Sequence, residues 1–184
     1  TFNVLIAFIL DKKFNIIFFY FGSKSLNLTS YFLRFFLKKN NFEIIDLNDN
    51  LNIKKKIKKF KSKSQLINHK YQKYKIGKYI HQSYSRLFLK TTVNLNDEKL
   101  YYLTKLSHAR INLLEKIFKE RNIKYVLTSH VVFVDYGMIA LVARKYKAKT
   151  KIIWSHNNYS KIRTLSIDNK HLLQIDKYYN YRKE

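Results

Sequence analysis

The sequence has no cysteine and no proline, three glycines, and 12 acidic side chains against 37 Lys and Arg in 184 residues. Without cysteine there can be no disulfide and no thiolate metal site, and a reducing compartment is natural. No Gly-rich dinucleotide fingerprint, P-loop, nucleophile elbow or Asp-x-Asp is present. Dinucleotide oxidoreductases, P-loop NTPases and serine hydrolases therefore lose their usual sequence support. No apolar run reaches the ~20 residues of a spanning helix. Thr1 to Leu10 is cut by Asp11-Lys12-Lys13, and Phe14 to Phe21 is too short by itself. The chain enters its first apolar run at Thr1, so we read it as a piece of a longer protein; an upstream leader or spanning helix stays open.

What is present suffices for a core. Hydrophobic residues make up 46% of the chain and aromatics 16%, enough for one domain of ordinary size. The formal charge of +25 admits two readings. One is an anionic partner: nucleic acid, a phospholipid surface or a phosphorylated substrate. The other is compositional, because heavy use of Lys, Asn, Ile, Tyr and Phe is what an AT-rich coding sequence produces.

Phe2 to Lys13 reads as the end of a helix. Asn15 to Phe21 is a continuous β-rich run of the kind buried in a parallel sheet. It ends in Gly22-Ser23-Lys24-Ser25, a small-residue turn whose backbone N–H groups suit a phosphate or a sugar; a plain connection explains it too. Leu26 to Lys39 has a helical period in Leu28, Tyr31, Phe32, Phe35 and Phe36, and Phe42 to Leu47 follows as a second strand. Helix, strand, helix, strand with short links is typical of a doubly wound sheet.

Residues 51–96 differ, with thirteen Lys or Arg and no Asp or Glu, seven of the Lys lying within Lys54 to Lys63. The stretch 54–65 reads as a mobile loop within a basic, largely helical insertion (54–96). Tyr71, Tyr74, Tyr79 and Tyr84 interleave with the lysines. We read them as one packed helical face; stacking on bases or sugars is the alternative. Asn96-Asp97-Glu98 then opens a helix with a cap and an acidic first turn. Leu100, Leu103, Leu106, Ile111, Leu114, Ile117 and Phe118 keep one face apolar until Asn122.

The stretch that organises the chain is Ile123 to Asn158. Ile123 to Thr128 and Ile152 to Trp154 are short β-branched runs, separated by a helix with Met138, Leu141, Val142 and Tyr146 on one face. That spacing predicts a βαβ crossover. Both strands end in the same dipeptide, Ser129-His130 and Ser155-His156, where ligands sit in open parallel sheets. His130 or Asp135 suits general-base work on a hydroxyl, with His156, Asn157 and Asn158 beyond the second strand. Each histidine equally suits a strand-end cap bonded to backbone. Tyr136-Gly137 opens the crossover helix, whose amino end suits a polar or anionic group; Arg144 pairs with such a group or is solvated. Two histidines without a carboxylate make a poor metal site, and none is expected. Beyond Asn158 the pattern fades, and Ser166 to Glu184 is expected as a terminal helix or linker.

Two segments, "IGKYIHQSYSR" from Ile76 and "VLTSHVVFVDYGMIALVARKYKAK" from Val126, together resemble bacterial surface carbohydrate (capsular and O-antigen type) biosynthesis proteins, glycosyltransferase-like enzymes of the two-domain GT-B class. Gly77, Ser83, Tyr84 and Arg86 match the first motif, and Ser129, His130, Tyr136, Gly137 and Arg144 the second. Lys78 and Gln82 stand where an acidic residue is common, and the Ala143-Arg144 order is inverted. The resemblance spans Ile76 to Lys149. It implies an α/β, Rossmann-like three-layer domain with a mostly parallel sheet over residues 1–158, the acceptor-side half of a GT-B architecture. Residues 159–184 would then be a terminal segment or a linker to a second domain, which usually holds the donor.

The expected function is transfer of a sugar from a nucleotide-sugar to a glycan or lipid-linked acceptor, with no cofactor beyond that co-substrate. His130 and Asp135 are the expected catalytic residues. Gly22, Ser23, Gly77, Arg86, Ser129, Tyr136, Gly137, Arg144, His156 and Asn157 would bind substrate. The expected location is cytoplasmic, with the basic segment 54–78 resting on the inner face of the plasma membrane. The rival reading is a basic nucleic-acid- or membrane-binding module without catalysis.

Overall fold

A computed structural model describes residues 15–20, 35, 37–39, 42–48, 57–128, 131–154 and 163–167, the strands after Lys151 by their backbone alone. The chain divides into two compact units, Thr1–Leu51 and Asn52–Glu184.

In the first unit, strands β1 (Ile17–Tyr20) and β2 (Glu43–Asp46) pair in parallel, from Ile17 opposite Glu43 to Tyr20 opposite Asp46. Residues 37–39 are helical. Leu37 and Phe42 are buried against Ile16, Phe18 and Ile44, and the Phe18 and Phe42 rings meet edge to face at 5.4 Å. Phe35, assigned to the apolar face of this helix, is exposed while Leu37 is buried. The helix is therefore turned from the face that its aromatics suggested, because two residues along a helix point to nearly opposite sides.

The second unit begins in the basic segment. Ser62 accepts from the Gln65 N–H and starts the short helix α1 (Lys63–Ile67). A hairpin follows, β3 (Lys70–Tyr71) and β4 (Tyr74–Lys75), with Gln72 at φ 52° in the turn. Tyr71 and Tyr74 thus lie on strands, not on the helical face expected of them. Nor is 57–60 a free loop, since Phe60 is buried and stacks 6.1 Å from Tyr101. Helix α2 (Gly77–Leu87) buries Tyr79, Ile80, Ser83 and Tyr84; the tyrosines of this helix are core, not a stacking platform.

Helix α3 (Glu98–Glu120) is 23 residues long, or about 35 Å at 1.5 Å per residue. Its cap, Asp97, accepts from the Lys99 N–H at 2.9 Å, and Glu98 adds a favourable charge to the first turn. The Tyr84 hydroxyl donates to the other oxygen of Asp97 at 2.6 Å and so ties α2 to the start of α3. All seven apolar positions read along α3 are buried.

Strand β5 (Tyr125–Thr128), helix α4 (Phe133–Lys145) and strand β6 (Lys149–Trp154) form the expected crossover, with β5 parallel to β6. Most of α4 is apolar and buried, Val134, Met138, Ile139, Ala140, Val142 and Ala143 included. A helix hydrophobic on nearly all sides belongs at the centre of a fold. Ser166, expected in a terminal helix, lies instead in β7 (Arg163–Ile167), which runs antiparallel to β6 along its whole length. Five paired residues satisfy the backbone of both strands, which a detached helix would leave open on β6.

The architecture is therefore mixed α/β. Parallel pairing occurs as two strand pairs, and no continuous Rossmann sheet is present among the described residues. Among those residues no helix is long and apolar enough to cross a membrane.

Candidate functional site

The site is built around the amino end of α4. Val132 holds the cap position but has no side-chain oxygen to offer. The Val134 N–H instead donates to Ser83 Oγ, at 2.7 Å in a buried setting. A hydroxyl 51 residues away in sequence thereby does the work of a local cap. Asp135 in the first turn suits the positive end of the helix dipole, and Arg110 of α3 donates to its carboxylate. The pair is asymmetric: Arg110 is only 3% exposed and Asp135 45%. Burying a guanidinium is tolerable only with such a partner. Phe133 opens the helix at φ 64°, a left-handed conformation that costs an aromatic residue about 1–3 kcal/mol. Arg86, from the last turn of α2, lies over the Phe133 ring at 4.5 Å from its centre.

These groups border a cleft of about 410 Å³. Ser83, Arg86, Asp135 and Tyr136 supply its polar side, and Leu87, Phe88, Tyr102, Leu103 and Leu106 its apolar side. Burial, and secondarily the charge of Asp135, push the Tyr136 hydroxyl above its ordinary pKa, so it stays protonated and can donate. The lining combines hydrogen-bonding groups with ring and methyl surface, a mixture found in sites that orient a small polar molecule.

Asp135, Arg86 and Tyr136 meet at this cleft. Gly137 and Gly77 serve packing instead. A Cβ on Gly137 would lie 2.2 Å from the Tyr79 ring, and one on Gly77 would lie 1.9 Å from the Leu66 carbonyl oxygen. Arg144 is half-buried at the far end of α4, close enough to Tyr79 to act on its hydroxyl, which burial nevertheless pushes up to about 12. Gly22, Ser23, Ser129, His130, His156 and Asn157 lie outside the described residues. The sequence reading missed Arg110, Phe133 and Tyr102. Arg110 had a signal: it sits four residues from Leu106 and from Leu114 on the apolar stripe of α3, where a charge demands a partner.

Two polar clusters lie elsewhere in this unit. The Glu115 carboxylate accepts from the Tyr74 hydroxyl, from Tyr146 at 2.8 Å and from Lys145 at 2.5 Å. Burial works to raise its pKa, but the bonds from Lys145, Tyr74 and Tyr146 outweigh that and hold it low. Near the hairpin, His69 and His108 meet through their Nε2 atoms. Among the described residues no group of three or more His, Cys, Asp and Glu is placed to hold a metal ion. No family model matches the chain, and neither a curated protein nor a solved structure matches it.

Proposed function

We propose that this chain is the acceptor-side domain of a glycosyltransferase-like protein of cell-surface polysaccharide biosynthesis, and that the cleft at the amino end of α4 holds the acceptor sugar. The observation that carries the reading is that Arg86, Asp135 and Tyr136 line one cleft together with Phe88 and Tyr102. A sugar offers hydroxyls that a carboxylate and a guanidinium bind well, and C–H faces that rest on aromatic rings. Arg110 fixes the position of the Asp135 carboxyl group, which accepts from an acceptor hydroxyl and orients it. His130 is the expected base in this reading, since an imidazole suits taking a proton from a hydroxyl. The acceptor oxygen then attacks the anomeric carbon, and the nucleotide leaves with the bonding electrons. Gly22, Ser23, Ser129, His156 and Asn157 complete the substrate contacts in this reading. The finer architecture, a Rossmann-like three-layer domain with a mostly parallel sheet, belongs to the same proposal, with the donor held by a second domain.

The test uses the full-length protein, a panel of labelled nucleotide-sugars, and soluble and lipid-linked glycan acceptors. Transfer that is lost in Asp135→Asn, which keeps an oxygen for Arg110, and in Arg86→Ala, with unfolding midpoints preserved, supports the reading. No transfer together with tight, steeply salt-dependent oligonucleotide binding would replace it with a nucleic-acid-binding module.

A further inference from the structure

The apolar wall of the cleft continues out into solvent. Leu87 and Tyr102 line it and yet are 61% and 55% exposed, and Leu89 just beyond is 92% exposed. Leu89 also stands at φ 50°, where glycine is the usual residue after a helix. The turn closes normally, Phe88 N–H donating to the Tyr84 carbonyl and Lys90 N–H to that of Ser85. A leucine there is unfavourable twice over, by its backbone and by its bare side chain. Nothing in the packing of α2 asks for it.

Basic side chains border the turn. Lys99 lies over the Phe88 ring at 4.7 Å, Arg86 over Phe133, and Lys90 follows Leu89 directly. The acidic neighbours are Asp97, whose oxygens accept from the Tyr84 hydroxyl and the Lys99 N–H, Glu98 at the start of α3, and Asp135 in the cleft, which is paired with Arg110.

We infer that the turn Leu87–Lys90, with Tyr102 beside it, is a membrane-docking tip that seats the mouth of the cleft on an anionic phospholipid bilayer. A protruding turn offers no groove to a peptide. Leucines that enter the acyl boundary, a tyrosine at headgroup level and cations against phosphates match the interface of a bilayer. The contact differs from the basic segment 54–78 considered above, and it stands whether or not the cleft transfers sugars. Its consequence is that a ligand enters the cleft from the lipid surface.

Because the chain has no cysteine, Leu89→Cys gives one labelling position for an environment-sensitive fluorophore. Its emission should shift to the blue with vesicles of phosphatidylglycerol and phosphatidylcholine, and less with phosphatidylcholine alone. Leu89→Gly relieves the backbone and removes the side chain. It should keep or raise the unfolding midpoint while lowering vesicle partition by about tenfold, the effect of withdrawing about two of the four side-chain carbons from the acyl boundary. Vesicle binding with an unshifted fluorophore assigns lipid contact to other lysines and overturns the inference. So does unchanged partition of Leu89→Gly, or no vesicle binding at all. Transfer to a soluble acceptor, measured on the same variants, reports separately on the catalytic reading.

Discussion

The Nε2 atoms of His69 and His108 lie 2.9 Å apart, in the middle of a run of rings. Tyr71 stacks on His108 with ring centres 3.9 Å apart, and Phe60 meets His69 edge-on at 5.2 Å. One Nε2 must carry the shared hydrogen and the other must be bare, so the two rings cannot both be imidazolium in this geometry. Burial lowers the pKa of His69 below its ordinary 6.5. An unfolded chain takes up a proton near that value before the folded one does, so stability falls as the pH drops below about 6.5. Thermal unfolding followed between neutral and mildly acidic pH should show the loss. It should be smaller in His69→Gln, and an equal loss in both proteins would remove His69 as the cause.

Glu115 predicts a second acid-sensitive contribution at lower pH. Its pKa is held below the ordinary 4.5, so its contribution is complete above 4.5 and fades as the pH falls through its folded value. Replacing Glu115 with Ala strands the hydroxyls of Tyr74 and Tyr146 and the Lys145 ammonium. With bonds to a charged group worth about 1.5–3 kcal/mol each but shared here, a loss of about 2–4 kcal/mol is expected in urea unfolding. Glu115→Gln should flatten the stability profile below pH 4.5, and an unchanged profile would count against the network.

Ser83→Ala removes the oxygen that caps α4 and leaves a buried N–H unpaired. A cost of about 1–2 kcal/mol is expected. Hydrogen exchange at Val134 should rise more than elsewhere in the helix. A uniform rise would mean that the hydroxyl supports the fold generally and not this helix end.

The two described glycines should respond differently to alanine. Within a helix the change ordinarily stabilises by up to about 1 kcal/mol. At Gly137 the new methyl meets a side-chain ring, that of Tyr79, which can tilt; a net loss of about 1–2 kcal/mol is expected, partly recovered by adding Tyr79→Leu. At Gly77 the methyl meets the Leu66 and Ile67 carbonyls, which cannot move without unseating α1. That variant should lose more, and a milder effect at Gly77 than at Gly137 would contradict the packing described here.

Local patterns were legible where the physics is local. The apolar period of α3, its Asp97 cap and the β5–α4–β6 spacing all stood in the sequence, because side chains three and four apart share a helix face and a cap acts within one turn. The face of the helix carrying Phe35 and Leu37 was not, because which side is buried is set by the residues packed on it, here Ile16, Phe18, Phe42 and Ile44 around Leu37. Ser166 reads as terminal helix or linker because nothing short-range marks a strand whose partner is β6.

The sequence by itself determined that this chain is α/β in pattern, free of disulfides, strongly basic, and drawn around a crossover whose helix begins near Asp135. Only the tertiary structure decided that Ser83 caps α4, that Arg110 is the partner of Asp135, and that His69 meets His108. Each of those contacts joins residues 25 to 51 positions apart. Their geometry depends on how α2, α3 and α4 pack together, and packing is set by the shape of the whole core, which no window of neighbouring residues contains.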